Sequence, residues 1–98
     1  MKPFLESFSP EFNTLVCGSA CITKVADGAI WAEGPAYLAE NEMLVWSDVR
    51  SDRMWSWTDT DGQRIFREPS GHSNGNTVDL EGRLLTCEHS NRRVSKTE

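Results

Sequence analysis

Apolar residues recur along this chain with two rhythms. Over residues 1–19, Phe4, Leu5, Phe8, Phe12, Leu15 and Val16 fall three and four apart, and Ser9-Pro10 interrupts them. That spacing predicts an arm with a short helical turn or an irregular course, packing its aromatics onto a neighbouring sheet. Over residues 20–98 the pattern is that of short strands. Residues 20–26 form an apolar-rich run ended by the turn pair Asp27-Gly28. Residues 34–38 form a second run, closed by Glu40-Asn41-Glu42, and Met43-Leu44-Val45-Trp46 is continuously apolar, as in a buried strand. Residues 53–58 alternate around Met54, Trp55 and Trp57 and enter a strong turn, Asp59-Thr60-Asp61-Gly62. Residues 63–67, 76–80, 83–87 and 92–95 supply further short strands, punctuated by Pro69-Ser70-Gly71 and Glu81-Gly82.

These strands repeat. Leu38, Leu44, Val45 and Asp48 recur forty positions later as Val78, Leu84, Leu85 and Glu88, and residues 52–56 recur thirty-nine later as 91–95. A period near 40 with about four short strands in it is the signature of a β-propeller blade. An ordinary antiparallel meander is the alternative, since it too places turns every 8–12 residues. The expected fold is therefore all-β: an arm over 1–19, then about two four-stranded antiparallel blades over 20–98. Lys96-Thr97-Glu98 stands where the second blade needs its outer strand, so the sequence is expected to be a truncated piece of a larger propeller. Blades bury their faces only against neighbours. Trp46, Trp55 and Trp57 are accordingly expected to lie uncovered and to promote self-association.

Composition narrows the classes. A chain of 98 residues holds at most one domain, and a hydrophobic content of 38% suffices for a globular piece. A net charge of −5 leaves no basic stripe for nucleic acid, and Arg92, Arg93 and Lys96 do not change that. No apolar run approaches the roughly 20 residues that span a bilayer. The N-terminus Met1-Lys2-Pro3-Phe4 lacks the apolar region of a secretory signal. With an odd count of three cysteines, reduced thiols in a cytoplasmic protein are the expectation. Cys17 and Cys21 are four apart and could meet on a helical turn, but without a second pair they make a poor zinc motif.

Three places carry candidate chemistry. Glu33 sits in Trp31-Ala32-Glu33-Gly34-Pro35, at the start of a strand, where an inner blade strand would aim a carboxylate at a central cation. Its plain alternative is a surface glutamate before a strand. His72-Ser73-Asn74-Gly75-Asn76-Thr77 occupies the corresponding place in the second repeat, and Asn can offer a carbonyl oxygen or an amide. Its alternative is an Asn-Gly turn formed for backbone reasons. Cys87-Glu88-His89 invites a nucleophile–base reading, yet neighbouring strand residues point to opposite faces. Cys87 and His89 could share a face and would then compete with packing. There is no phosphate loop or nucleotide fingerprint, and no residue is assigned as catalytic.

Taken in order, Trp31–Tyr37, Leu44-Val45-Trp46-Ser47-Asp48, residues 53–57, residues 73–85 and residues 86–94 resemble the gluconolactonase family, also called the senescence-marker-protein, regucalcin and luciferin-regenerating-enzyme-like family. The likeness covers roughly residues 10–98. It implies a six-bladed propeller that hydrolyses a sugar lactone, such as gluconolactone, around a central divalent cation, calcium or zinc. The family's Glu-Gly-Pro glutamate matches Glu33, implying a metal ligand. Its Asn at the mouth of the next inner strand matches Asn74, with Asn76 as second choice, implying a ligand or substrate contact. An Arg found two residues earlier in some members is His72 here, an altered substrate contact. The other family ligands, an Asn and an Asp, belong to blades outside this sequence, so the chain alone is expected to be inactive. A non-catalytic β fragment or interaction module that has lost the site is the competing reading.

Overall fold

A computed structural model describes residues 5–98. Phe4 of the predicted apolar stripe, and the three residues before it, lie outside the described residues. The arm contains one helical turn, α1 (Pro10–Asn13). Ser9 caps it, its hydroxyl accepting the Phe12 N–H at 3.2 Å, and Pro10 enters where a missing N–H costs nothing. The arm does not lay its aromatics on a sheet as expected: Phe8 and Leu15 are exposed and α1 buries no residue. Four residues make a single turn, too short to present an apolar stripe.

Seven strands follow: β1 (Ala32–Leu38), β2 (Met43–Asp48), β3 (Arg53–Thr58), β4 (Gly62–Arg67), β5 (Ser73–Val78), β6 (Leu84–Glu88) and β7 (Arg93–Thr97). They form two antiparallel meanders, a four-stranded sheet ordered β1-β2-β3-β4 and a three-stranded sheet ordered β5-β6-β7. The predicted strand over 20–26 is absent, and the chain runs without regular structure from Cys21 to Ala29. An apolar run becomes a strand only when an edge is free to pair with it. This one instead crosses a sheet face, where Val25, Ala26 and Ala29 border a cavity with Leu44 and Trp46. Gln63 Nε2 donates to the Asp27 carbonyl at 2.7 Å, and Ile30 and Trp31 donate their N–H groups to Asp48 Oδ1 at 3.2 and 3.0 Å.

Alternation along β2 sorts its residues between two faces. Val45 and Ser47 oppose Ser56 and Met54 on β3 and face the second sheet. Leu44 and Trp46 oppose Trp57 and Trp55 on the other face. The core is the seam between sheets, where Val45, Met54 and Leu84 are buried and Ala36, Leu38, Met43 and Phe66 pack around them. The seam also holds the buried hydroxyls of Ser47, Ser73 and Thr86. The expectation that Trp46 lies uncovered is wrong. It is only 9% exposed, because the segment before β1 shields its face, and Trp55 and Trp57 are half-buried. From β1 onward apolar exposure falls instead on Tyr37, Ile65, Val78, Leu80 and Val94, and before β1 on Ile22, Ile30 and Trp31.

The two sheets are copies, in a register that corrects the sequence count. Asp48 opposes Arg53 and Glu88 opposes Arg93, so β2 and β3 recur as β6 and β7 with a shift of forty in both. The turn residues Asp52 and Arg92, also forty apart, share a positive φ of 54° and 51°. The expected thirty-nine-residue match of 52–56 to 91–95 is therefore off by one. Ala32 opposes Asp48 whereas Ser73 opposes Glu88, so β1 recurs as β5 with a shift of forty-one. Leu38 consequently corresponds to Asp79 rather than Val78. The turn between β5 and β6 is therefore one residue shorter than the turn between β1 and β2.

Candidate metal and substrate site

The site is built where β1 and β5, the first strands of their sheets, approach each other. By the register just given, Glu33 and Asn74 are equivalent: each is the second residue of its strand. The strands meet at Gly34, which has φ +60° and no room for a side chain. A Cβ there would lie 2.2 Å from the Asn74 carbonyl oxygen and 3.0 Å from Gly75 Cα. Only glycine permits both the left-handed backbone and so close an approach. The structure thus brings the backbone after Glu33 against that of Asn74.

The side chains differ in how they are held. Glu33 is half-buried, with Oε1 accepting the Trp31 indole N–H at 3.1 Å, and it borders a cavity of about 300 Å³ with Pro35, Leu44 and Trp46. Asn74 is exposed, and its side-chain amide has no hydrogen-bond partner among the described residues. Asn76, the second choice for the family asparagine, is fully engaged. Its Nδ2 donates to the Gly34 carbonyl and to Ser47 Oγ, each at 2.9 Å, and Thr86 Oγ1 donates to its Oδ1 at 2.7 Å. An amide engaged by structural partners at both ends is poorly placed to serve as a ligand, which favours Asn74 for that part.

His72 lies elsewhere. Its Nδ1 is 2.6 Å from Ser90 Oγ and its backbone N–H donates to Asp52 Oδ1 at 2.7 Å. It borders a larger cavity of about 550 Å³ with Asp52, Glu88 and Arg93, which Glu33 and Asn74 do not line. His72 therefore joins the two sheets through the turns before β3 and β7. Cys87 is exposed on β6 and His89 follows in the turn, with no bond between them among the described residues. Cys17 and Cys21 are likewise exposed free thiols, bonded to Ser19 and Thr23 rather than to each other.

Sequence reasoning passed over two supporting carboxylates. Asp48 is buried and receives the N–H groups of Ile30 and Trp31, so it sets where the chain enters β1 two residues before Glu33. Burial alone would raise its carboxyl, but the Trp31, Ser51, Ile30 and Trp55 donors outweigh that and hold it below the usual range. Asp52 does the same for the approach to β5, receiving the N–H groups of Ser70 and His72. The only sequence signal for either is an acidic residue at the edge of a strand–turn–strand unit.

Among the described residues no three of His, Cys, Asp and Glu come together as a cation site. What the chain offers is one carboxylate and one neutral amide oxygen, both hard donors of the kind a hard cation takes. They fit such an ion as a part of its shell, because calcium takes about six to eight oxygens.

The model of the SMP-30/gluconolactonase/LRE-like region matches residues 31–98. This chain belongs to that family. A gluconolactonase of Zymomonas mobilis is 28% identical over 107 aligned positions, which take in 96% of this chain and 30% of that protein. A gluconolactonase of Xanthomonas campestris superposes with a TM-score of 0.71 at 34% identity, over 76% of this chain and 25% of its own. A structural-genomics target provisionally described as a gluconolactonase gives 0.78 at 36% identity, over 90% and 30%. The chain thus spans about a third or less of the SMP-30/gluconolactonase/LRE-like relatives it matches. Its two sheets are blades of their kind of propeller, and no helix among the described residues is long and apolar enough to cross a membrane.

Proposed function

We propose that these blades supply the Glu33–Asn74 part of a divalent-cation-dependent sugar-lactone hydrolase, acting on a lactone such as gluconolactone. The observation that supports this most is the register: the two sequence-predicted donors occupy the same position of successive blades, with their backbones in contact through Gly34. Glu33 contributes negative charge, and the Trp31 indole N–H orients one of its oxygens. Asn74 contributes a neutral oxygen or donates to a substrate hydroxyl, its amide being free of structural partners among the described residues. His72 borders a separate cavity from Glu33 and would meet only an outer part of the substrate, through Nε2, since Ser90 holds Nδ1. A hard divalent cation, calcium or zinc, supplies Lewis-acid activation of an ester carbonyl when bound. Two oxygen donors make a weak site, so the chain by itself binds cations poorly and hydrolyses lactones negligibly. Exposed free thiols at Cys17, Cys21 and Cys87 suit a reducing cytoplasm.

The experiment is a hybrid in which this chain is continued by the remaining blades of the Zymomonas relative. Lactone hydrolysis that disappears on chelation and returns with calcium or zinc is the expected result. A folded hybrid that hydrolyses gluconolactone equally well in chelator contradicts the proposal.

A further inference from the structure

Asn76 does more than fill the seam. Its side chain touches β1, β2, β5 and β6 at once: the Gly34 carbonyl, Ser47 Oγ, the Asn74 carbonyl at 3.1 Å and Thr86 Oγ1. The two carbonyls can only accept, so they require Nδ2 on their side, which leaves Oδ1 to accept the Thr86 hydroxyl at 2.7 Å on the other. Those demands fix which end of the amide points where. Ser47, having accepted from Asn76, shares a further hydrogen bond with Ser73 Oγ at 2.9 Å, and Ser47, Ser73 and Thr86 are all fully buried. A buried chain of hydrogen bonds with every member partnered holds its geometry stiffly.

The carbonyls that Asn76 draws together belong to Gly34 and Asn74. One follows Glu33 in the chain and the other is the peptide of Asn74 itself. We infer that Asn76 is a positioning residue that sets the separation of Glu33 and Asn74 by clamping the Gly34 peptide onto the Asn74 peptide across the seam. The inference takes its chemical meaning from the proposed cation site, but the clamp itself is a structural claim with its own readout. Its polar neighbours at the seam do not substitute for it. Ser47 and Thr86 each reach Asn76, but neither side chain bonds to Gly34 or Asn74.

The test uses the whole 98-residue chain and terbium(III), an oxygen-seeking probe that emits when a nearby indole transfers its excitation; Trp31 touches Glu33 directly. Four proteins are compared: the parent, Glu33→Gln, Thr86→Val, and the triple change Asn76→Leu, Ser47→Ala, Thr86→Val. The triple change removes the clamp and the two hydroxyls bonded to it together, so that of their side-chain partners only the Ser73 hydroxyl is left unpaired. Thr86→Val releases only the amide's orientation and covers the case in which the triple variant does not fold. Terbium affinity is expected to fall at least tenfold in the triple variant and severalfold in Thr86→Val, with a cooperative thermal unfolding transition kept in both. The nuclear Overhauser signal between the α-protons of Gly34 and Gly75 is expected to be strong in the parent and weakened in both clamp variants. A parent-like Overhauser signal in the clamp variants overturns the clamp. A parent-like terbium titration in Glu33→Gln, together with a weakened Overhauser signal in the clamp variants, overturns the ligand reading and leaves the clamp standing.

Discussion

Asp52 in the turn before β3 accepts the backbone N–H of His72, on the approach to β5, at 2.7 Å. The same oxygen accepts the N–H of Ser70 at 3.1 Å and its hydroxyl at 3.3 Å. One carboxylate oxygen in the first blade thus gathers the chain that enters the second, and β5 starts one residue after His72. The left-handed φ of His72 (49°) follows from that gathering, because its N–H must turn back towards Asp52.

This bond makes the join between blades sensitive to acid. The His72 N–H, foremost, holds the Asp52 carboxyl below its usual value, against the opposing effect of burial. A carboxyl depressed in the folded state stabilises it fully above the unfolded value of about 3.9, and that stability is lost as pH falls through the lower folded value. Asp52→Asn keeps an acceptor but loses the charge. Since the side chain is a third exposed, the cost at pH 7 is about 1 kcal/mol, a fall in Tm of about 4–8 °C. Parent and variant should converge as pH drops below about 3.9. Thermal unfolding at pH 7 and in acid checks this, and a gap that stays constant with pH contradicts it.

Gly34 and Gly62 share a positive φ, of 60° and 67°, but differ in their surroundings. A Cβ at Gly62 meets nothing within 4 Å, whereas at Gly34 it would enter the Asn74 carbonyl. Gly62→Ala should therefore cost about 1–2 kcal/mol, the strain of a left-handed alanine. Gly34→Ala adds a backbone clash that only separation of the blades relieves, and should exceed about 3 kcal/mol. Urea unfolding of both variants ranks them. Equal losses would mean that the β1–β5 approach is looser than described.

Asp48 ties down the segment that covers Trp46. Asp48→Ala removes the acceptor for the Ile30 and Trp31 N–H groups, so residues before β1 should lift from the Leu44–Trp46 face. The expected signs are a red shift of indole emission and faster proteolysis between Ala20 and Ile30. Unchanged emission and cleavage would show that apolar contact alone holds the segment.

The strands were legible wherever turn chemistry bounded an apolar run: Asp61-Gly62 before β4, Glu81-Gly82 before β6, the continuous Met43–Trp46 of β2. Composition could not show that residues 20–26 find no partner edge, because pairing is decided by the sheet and not by the run. Nor could it count registers, since Leu44 and Val45 match Leu84 and Leu85 whether or not the adjoining turn has lost a residue. Glu33 and Asn74 stood out through short motifs. Asn76 differed from Asn74 only in its partners, the Gly34 carbonyl, Ser47 and Thr86, which lie ten or more positions away in sequence.

In the hybrid enzyme the two donors should fail unequally. Glu33→Gln preserves size and the oxygen that accepts the Trp31 indole N–H, so folding should be unaffected, but it removes the anionic donor this chain offers to the site. A fall in kcat/KM of at least about a hundredfold is expected, roughly 2.7 kcal/mol, with a matching loss of bound metal. Asn74→Ala removes a neutral oxygen or a substrate hydrogen bond worth about 0.5–1.5 kcal/mol, so activity should fall severalfold with the metal largely retained. Rates and metal content measured together separate the roles. If Glu33→Gln hydrolyses lactone at the parent rate with its metal content unchanged, Glu33 is not the ligand, and its place beside Asn74 serves the blade seam alone.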